Sequence, residues 1–261
     1  MVAPPATRVR RSKAPAARCR AALLTYAMLA SAAHGAALQI SPIRIDMPTA
    51  PGAGALILRN QGDTPIHAQV RVFRWTQSGL DDVLEPTDTV VASPPIVRIA
   101  PGEEQLVRVV HPHTAASAAE TSYRLLIDEL PQSGPPAAGV RVQLRYSVPV
   151  FVGTPQGIPP ALQFTLRQDS AQWRLEARNG GNRHAQISDV TLVAQSGAKL
   201  AVTRGLLGYA LAGSGRQWAL PADYRISPST SWRLEASVNG VRITAAVRVA
   251  APGEAGSADA R

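Results

Sequence analysis

Between Val140 and Val152 the chain reads V-R-V-Q-L-R-Y-S-V-P-V-F-V. Val140, Val142, Leu144, Tyr146 and Val148 fall on one face, and Arg141, Gln143, Arg145 and Ser147 on the other. Strict period two predicts a strand with one apolar side. Such a face either closes the core of its own sheet or is offered to another protein whose core lacks a strand. The remainder of the chain decides between these.

From Leu38 onward the pattern is short β segments separated by turn signals, with no sustained 3.6-residue period. Leu38 to Asp46 alternates but is interrupted by Pro42, which removes a ladder donor and implies an edge or a break. Gly54–Asn60, Ile66–Thr76, Val90–Val91, Ile96–Ile99, Gln105–Val110 and Ser122–Leu130 follow as predicted strands. In Ile66–Thr76 the residues Ile66, Ala68, Val70 and Val72 share one side, with Phe73 and Trp75 opposed to them, so both faces are partly covered. About seven strands before residue 153 is the spacing of an immunoglobulin-like sandwich.

Gly153 to Pro160 (G-T-P-Q-G-I-P-P) is a Pro/Gly-punctuated boundary. Beyond it come Ala161–Leu166, Trp173–Asn179, Ala185–Ala194, Gln217–Leu220, Ser231–Val238 and Val241–Val249, with Asn239-Gly240 a hairpin turn. The predicted fold class is all-β, two tandem sandwiches over 38–153 and 160–251. A small polar tail at 252–261 is expected to be disordered.

Charge changes this picture less than its size suggests. The 261 residues carry a formal net charge of +9. Arg8, Arg10, Arg11, Lys13, Arg18 and Arg20 all lie in the first 36 residues without one acid, and those six taken from +9 leave +3. No basic run interleaved with aromatics follows, which argues against nucleic acid as a partner. The opening segment has a basic stretch ending at Arg20, an apolar run Ala21–Ala33, and small residues at Ala33-His34-Gly35-Ala36-Ala37. That is the layout of a secretory signal peptide over 1–37, cleaved after Gly35 or Ala37. Cys19 lies inside it, so the exported protein has no disulfide and depends on core burial.

Candidate chemistry is sparse. With no mature cysteine there is no thiol nucleophile. His111-Pro112-His113 lacks a neighbouring acid and makes a poor metal pair, and no nucleophile elbow, zinc-helix or phosphate-loop motif is present. Asp81-Asp82 and Asp128-Glu129 are adjacent carboxylates that read as solvated pairs. Neither an enzyme, a metal, a cofactor nor a small-molecule substrate is predicted. Arg44, Arg124 and Arg145, however, all lie in strands. Singly, each reads equally well as a solvent-facing residue; together, lining a cleft between two sandwiches, they would grip a chain-terminal carboxylate through charge-assisted contacts.

Several stretches resemble the periplasmic pilus-assembly chaperones. These are Val70-Arg-Val-Phe-Arg-Trp75, Ser93-Pro-Pro95, Ala100-Pro-Gly-Glu103, Leu106-Val-Arg-Val109, Ser122-Tyr-Arg-Leu125, Asp128-Glu-Leu-Pro131 and Leu144-Arg-Tyr-Ser-Val-Pro-Val-Phe151. The R-Y-S-x-P-x-F and S-Y-R-L-x-x-D-E-L-P runs are similar to the archaic chaperone–usher branch, which serves subunits of spore-coat-U type. In the second half, Asn179 and Gly208-Tyr209 carry a weaker likeness.

The resemblance implies two immunoglobulin-like domains set at an angle, a periplasmic location, and no enzymatic activity. It also implies pilin subunits and an outer-membrane usher as partners, and leaves open whether the free protein self-associates. Val140, Val142, Leu144, Tyr146 and Val148 would then be donor residues entering a subunit's incomplete core. Better-studied members hold the subunit's terminal carboxylate with an arginine of the first strand and a lysine of the key strand. Arg44 fits the first position; the lysine position falls near Pro149 or Val150, and the only mature lysine is Lys199. Arg124 is the expected substitute, followed by Arg44 and then Arg145. The competing expectation is a secreted carbohydrate-binding or adhesive sandwich. It would need an exposed aromatic platform, which the dispersed Trp75, Trp173, Trp218 and Trp232 do not form.

Overall fold

The computed structural model describes residues 38–49, 51–112, 118–131, 142–153, 157–169 and 172–251. The expected signal segment 1–37, Val140, His113 and the tail 252–261 lie outside them. Every regular element among the described residues is a strand. Residues 38–152 supply β1 (Leu38–Ser41), β2 (Ile45–Met47), β3 (Gly52–Asn60), β4 (Ile66–Ser78), β5 (Asp81–Pro86), β6 (Val91–Ser93), β7 (Ile96–Ile99), β8 (Glu104–His111), β9 (Thr121–Glu129) and β10 (Arg145–Val152).

These ten form two sheets, one ordered β1-β3-β8-β6 and the other β2-β10-β9-β4-β5 with β7 beside β4. The sheets face each other across a core of Leu56, Leu58, Val107 and Val109 from the first and Ala68, Val70, Leu125, Ile127 and Val150 from the second, all buried. How close the layers come is set at Gly54, where a Cβ would collide with Cγ2 of Ile45. Pro42 breaks the first predicted strand as its missing donor requires. The chain uses that break to pass from the first sheet, as β1, to the second, as β2. β5 was not foreseen: Asp81-Asp82-Val83-Leu84-Glu85 lacks β-propensity and is recruited by the ladder of β4.

Residues 162–249 supply β11 (Leu162–Asp169), β12 (Gln172–Asn179), β13 (Ala185–Ala194), β14 (Lys199–Ala201), β15 (Leu206–Ala210), β16 (Gly215–Ala219), β17 (Trp232–Val238) and β18 (Val241–Val249). They run β14-β13-β17-β18-β11-β12-β16, with β15 on β13. Leu166, Leu175, Ile187, Val190, Leu192 and Leu234 are fully buried at the centre. The short strands β14 and β15 carry too few residues for a period to register in the sequence.

One local device occurs in both halves. Asn60 and Asn179 each end a strand, are buried, and accept at Oδ1 from the glycine two residues on, Gly62 or Gly181. Their amides donate to distant carbonyls, Ile99 in one case and Ala210 in the other. Each asparagine thus satisfies main-chain groups that a loop would otherwise leave buried and unpaired.

β10 changes character along its length. Val148, Pro149, Val150, Phe151 and Val152 are buried, whereas Arg145 and Ser147 are exposed. β10 pairs with β9 from Arg145 to Val152, and Leu144 accepts from the Glu129 amide as well. Its other edge meets β2, in parallel, only at Val150–Val152. From Val142 to Val148 that edge has no strand beside it among the described residues.

Candidate functional site

The register of the second sheet brings two of the three candidate arginines into one row. Pro149 of β10 lies opposite Arg124 of β9, and Arg124 opposite Phe73 of β4. On the other side Val150 pairs with Ile45, so one residue earlier Arg44 stands beside Pro149. Ile45, Val150 and Tyr123 are buried, so alternation turns Arg44, Pro149, Arg124 and Phe73 to the face away from the core. The arginines are therefore two strand spacings apart, about 10 Å between backbones. The residue between them is a proline, with no charge of its own.

The next row holds Asp46, Phe151 and Ser122, and here the sheet meets the second half of the chain. Trp75, Phe151, Tyr209 and Leu211 form one buried cluster. The Tyr209 ring stands edge-on to Trp75 at 5.4 Å and lies 5.8 Å from Phe151, and His184 stacks flat on Phe151 at 3.5 Å. Nδ1 of His184 is 2.7 Å from Oε1 of Glu120, and the same oxygen accepts from the His184 amide at 3.0 Å. Gln77 binds main chain on both sides of Ala210, donating to the Tyr209 carbonyl at 2.8 Å and accepting from the Leu211 amide at 2.9 Å. Arg216 adds ion pairs to Asp81 at 2.6 Å and Asp82 at 3.3 Å.

Arg124 lies inside this junction with its guanidinium carbon 3.6 Å from the centre of the Trp75 ring and 5.4 Å from that of Tyr209. Among the described residues no carboxylate is within ion-pair distance of it. Burial pushes its proton affinity down, while Tyr209 and Asp82 act in the opposite sense. Arg44 is different: it is half exposed and already holds Asp46 at 2.8 Å. Burial raises the Tyr209 hydroxyl above the ordinary phenol value; Arg124 and Arg44 oppose the shift and Asp46 adds to it. A cleft of about 540 Å³ adjoins, lined by Arg44, Asp46, Glu120, Phe151, Arg183 and His184. The chemistry on offer is reception of an anion. No group of metal-ligating side chains occurs among the described residues.

Arg145 is not part of this row. It is exposed on β10 and paired with Asp128, which also holds Arg71 at 2.7 Å. Despite burial acting against it, the hydrogen bonds from Arg145 and Arg71 hold the Asp128 carboxyl below its ordinary range. Of the five apolar positions, Val142 is 70% exposed, and Leu144 and Tyr146 are half-buried. Val148 departs from the expectation: at 4% exposure its side chain closes the protein's own core. Val140 lies outside the described residues. Trp75, Trp173 and Trp232 are buried and Trp218 is packed against the second core, so they form no exposed platform.

Glu120, His184, Gln77 and Tyr209 were not singled out as site residues from the sequence. Only Gly208-Tyr209 carried a signal, as a family likeness without a role. Gly208 has φ 154°, and a Cβ there would stand 2.9 Å from Nε1 of Trp218.

Residues 37–159 match the family model described as the pili and flagellar-assembly chaperone, PapD N-terminal domain. No curated protein sequence matches the chain. Among solved structures, a chain of the CsuC–CsuE chaperone–tip adhesion subunit pre-assembly complex, from the archaic chaperone–usher Csu pili of Acinetobacter baumannii, is 26% identical. It aligns over 83% of this chain and 100% of its own, with a TM-score of 0.65. The YadV chaperone aligns over 81% of this chain and 100% of its own, at 15% identity and a TM-score of 0.58. The SafB chaperone, solved with the SafA pilin of Salmonella enterica, aligns over 80% of this chain and 92% of its own, at 12% identity and a TM-score of 0.51.

Proposed function

The chain is a PapD-like chaperone, and from that premise we propose that it captures pilin subunits by lending them the open half of β10. The observation that carries the reading is the join on one strand between an edge with no neighbour among the described residues and a basic row. The edge runs from Val142 to Val148, and Arg44 and Arg124 flank Pro149 where it ends. A client strand laid on this edge has its carboxylate at the Pro149 end, so it runs parallel to β10 and in line with β2. Main-chain bonds supply affinity with little sequence demand, and alternate side chains supply fit.

Val142, Leu144 and Tyr146 are the donor side chains on this reading, with Val140 extending the row. Val148 stays at home and ties the strand to its own domain. Each donor fully buried in a client contributes roughly 1.5–3 kcal/mol. Arg124 is the main carboxylate anchor and Arg44 its partner across Pro149, the pair replacing the arginine–lysine couple of better-studied members.

The finer identity of the partners rests on the S-Y-R-L and R-Y-S-x-P-x-F runs. They favour clients of spore-coat-U type, delivered to an outer-membrane usher. The family is one of chaperones and not an enzyme class. Work in the periplasm, after removal of a signal peptide within 1–37, fits the family and the basic-then-apolar opening. The domains divide at 153–160, the first carrying the donor strand.

The test is periplasmic coexpression with a secreted subunit that lacks its last strand, followed by purification. A stable one-to-one pair, lost in Leu144→Asp, is the expected result. Subunit protected equally well by the variant would sink the reading.

A further inference from the structure

The anchor as described uses one domain only, yet one of the rings that Arg124 approaches, Tyr209, belongs to the other. Tyr209 is the penultimate residue of β15 and is buried among Trp75, Phe151 and His184. Its hydroxyl makes no hydrogen bond among the described residues, and the guanidinium carbon of Arg124 lies 5.4 Å from the centre of its ring. The side chain has little freedom to turn away. Gln77 pins the main chain at Tyr209 and Leu211, and Trp75 meets the ring edge-on.

We propose that the Tyr209 hydroxyl is a third arm of the carboxylate anchor, donating a hydrogen bond to the client's terminal carboxylate beside Arg124. This rests on the anchor reading given above. Two guanidinium groups supply charge, and a neutral O–H donor held at fixed depth supplies discrimination. A carboxylate accepts from all three, whereas a terminal amide accepts through a single oxygen and brings its own donors against two cations. The arm also makes the anchor span both domains. A client is gripped fully only while β15 stays seated on β4, so capture reads the domain arrangement as well as the strand edge.

The experiment uses the full mature chain and two synthetic eight-residue peptides of alternating valine and threonine, one with a free C-terminal carboxylate and one amidated. Dissociation constants are measured by calorimetry for the wild type and for Tyr209→Phe, with thermal unfolding of both. Expected are a preference for the carboxylate peptide in the wild type, a fall in that preference of about tenfold in Tyr209→Phe, and unchanged affinity for the amide. If the wild type binds neither peptide or shows no preference, the anchor reading itself fails and this inference with it. If the wild type discriminates and Tyr209→Phe discriminates equally, only the third arm is overturned. A variant that loses both peptides in equal measure, or melts well below the wild type, assigns Tyr209 a structural role and likewise overturns it.

Discussion

The guanidinium carbon of Arg124 lies 3.6 Å above the ring of Trp75, with no carboxylate in ion-pair distance among the described residues. An arginine held this way is desolvated and is offset by the ring's π face, worth about 0.5–2 kcal/mol, with Tyr209 and Asp82 acting in the same sense. Its charge is a cost in the free protein and a gain once an anion arrives. Arg124→Met keeps contact with Trp75 and removes the charge. Capture of a client with a free carboxylate should weaken about tenfold to a hundredfold, while the thermal midpoint stays level or rises. Arg44→Met should cost less, because Asp46 already offsets that charge. Equal losses at the two positions, read by calorimetry, would contradict the ranking.

The proposed donor row divides between Tyr146 and Val148, which a pair of matched substitutions can expose. Leu144→Asp introduces a charge at a half-buried position on an open edge, so the free protein should lose no more than about 1 kcal/mol in urea unfolding. The same variant must carry a carboxylate into a client's apolar pocket, and capture should be lost. Val148→Asp places the carboxylate in the protein's own core, at a side chain only 4% exposed. That variant should fail to fold at all. Intact folding of Val148→Asp would return Val148 to the donor set.

Much of the fold was legible because alternation survives wherever one face of a strand is buried. Ile66–Ser78, Ala185–Ala194 and Val241–Val249 match their predicted spans closely for this reason. β5, β14 and β15 escaped notice because neighbouring ladders impose their strand state against weak local preference. Of the predicted strand Val140–Val152, β10 covers Arg145–Val152, and the period could not show where the row stops being free. Val142 and Val148 are equivalent in sequence and differ only in that β2 and the opposite sheet arrive at one end of β10. Of the proposed anchor, Arg124 was within reach as a strand arginine and Arg44 as the residue just before β2. Arg145 was not separable from them until register paired it with Asp128. Tyr209, Gln77, Glu120 and His184 act across more than sixty residues of sequence, a distance at which no local pattern operates.

Tyr146 offers a spectroscopic handle on the donor strand. Burial, reinforced by the Glu129 carboxylate 3.3 Å from the hydroxyl, pushes its phenol up to about 12. The folded protein therefore holds this proton more tightly than the unfolded chain. The stability this contributes is fully present below the ordinary tyrosine value near 10 and is lost as pH rises from there through about 12. Ultraviolet titration should show late-titrating phenols, Tyr209 among them, of which the one belonging to Tyr146 is absent in Tyr146→Phe. Glu129→Gln should move it part of the way back, the burial contribution remaining. A client that buries Tyr146 should delay it further; titration unchanged by client binding would argue that Tyr146 stays outside the groove.

Gln77 is where one domain completes the main chain of the other. Its amide donates to the Tyr209 carbonyl and accepts from the Leu211 amide, bonds of 2.8 and 2.9 Å that follow a ladder's pattern with a side chain in place of a strand. Gln77→Ala leaves both groups without that partner at a buried junction, a loss of about 1–3 kcal/mol. The loss is local, because Phe151, His184, Arg216 and Asp81 still hold the domains together. Exchange of the Leu211 amide with solvent deuterium should therefore accelerate by about tenfold or more, while amides in the cores around Leu125 and Leu192 keep their protection. Gln77→Glu separates the two bonds. A carboxylate still accepts from Leu211 but faces the Tyr209 carbonyl with no donor, so Leu211 should stay protected while β15 shifts at Tyr209. Should Gln77→Ala leave Leu211 exchange untouched, the junction is carried by the aromatic cluster alone.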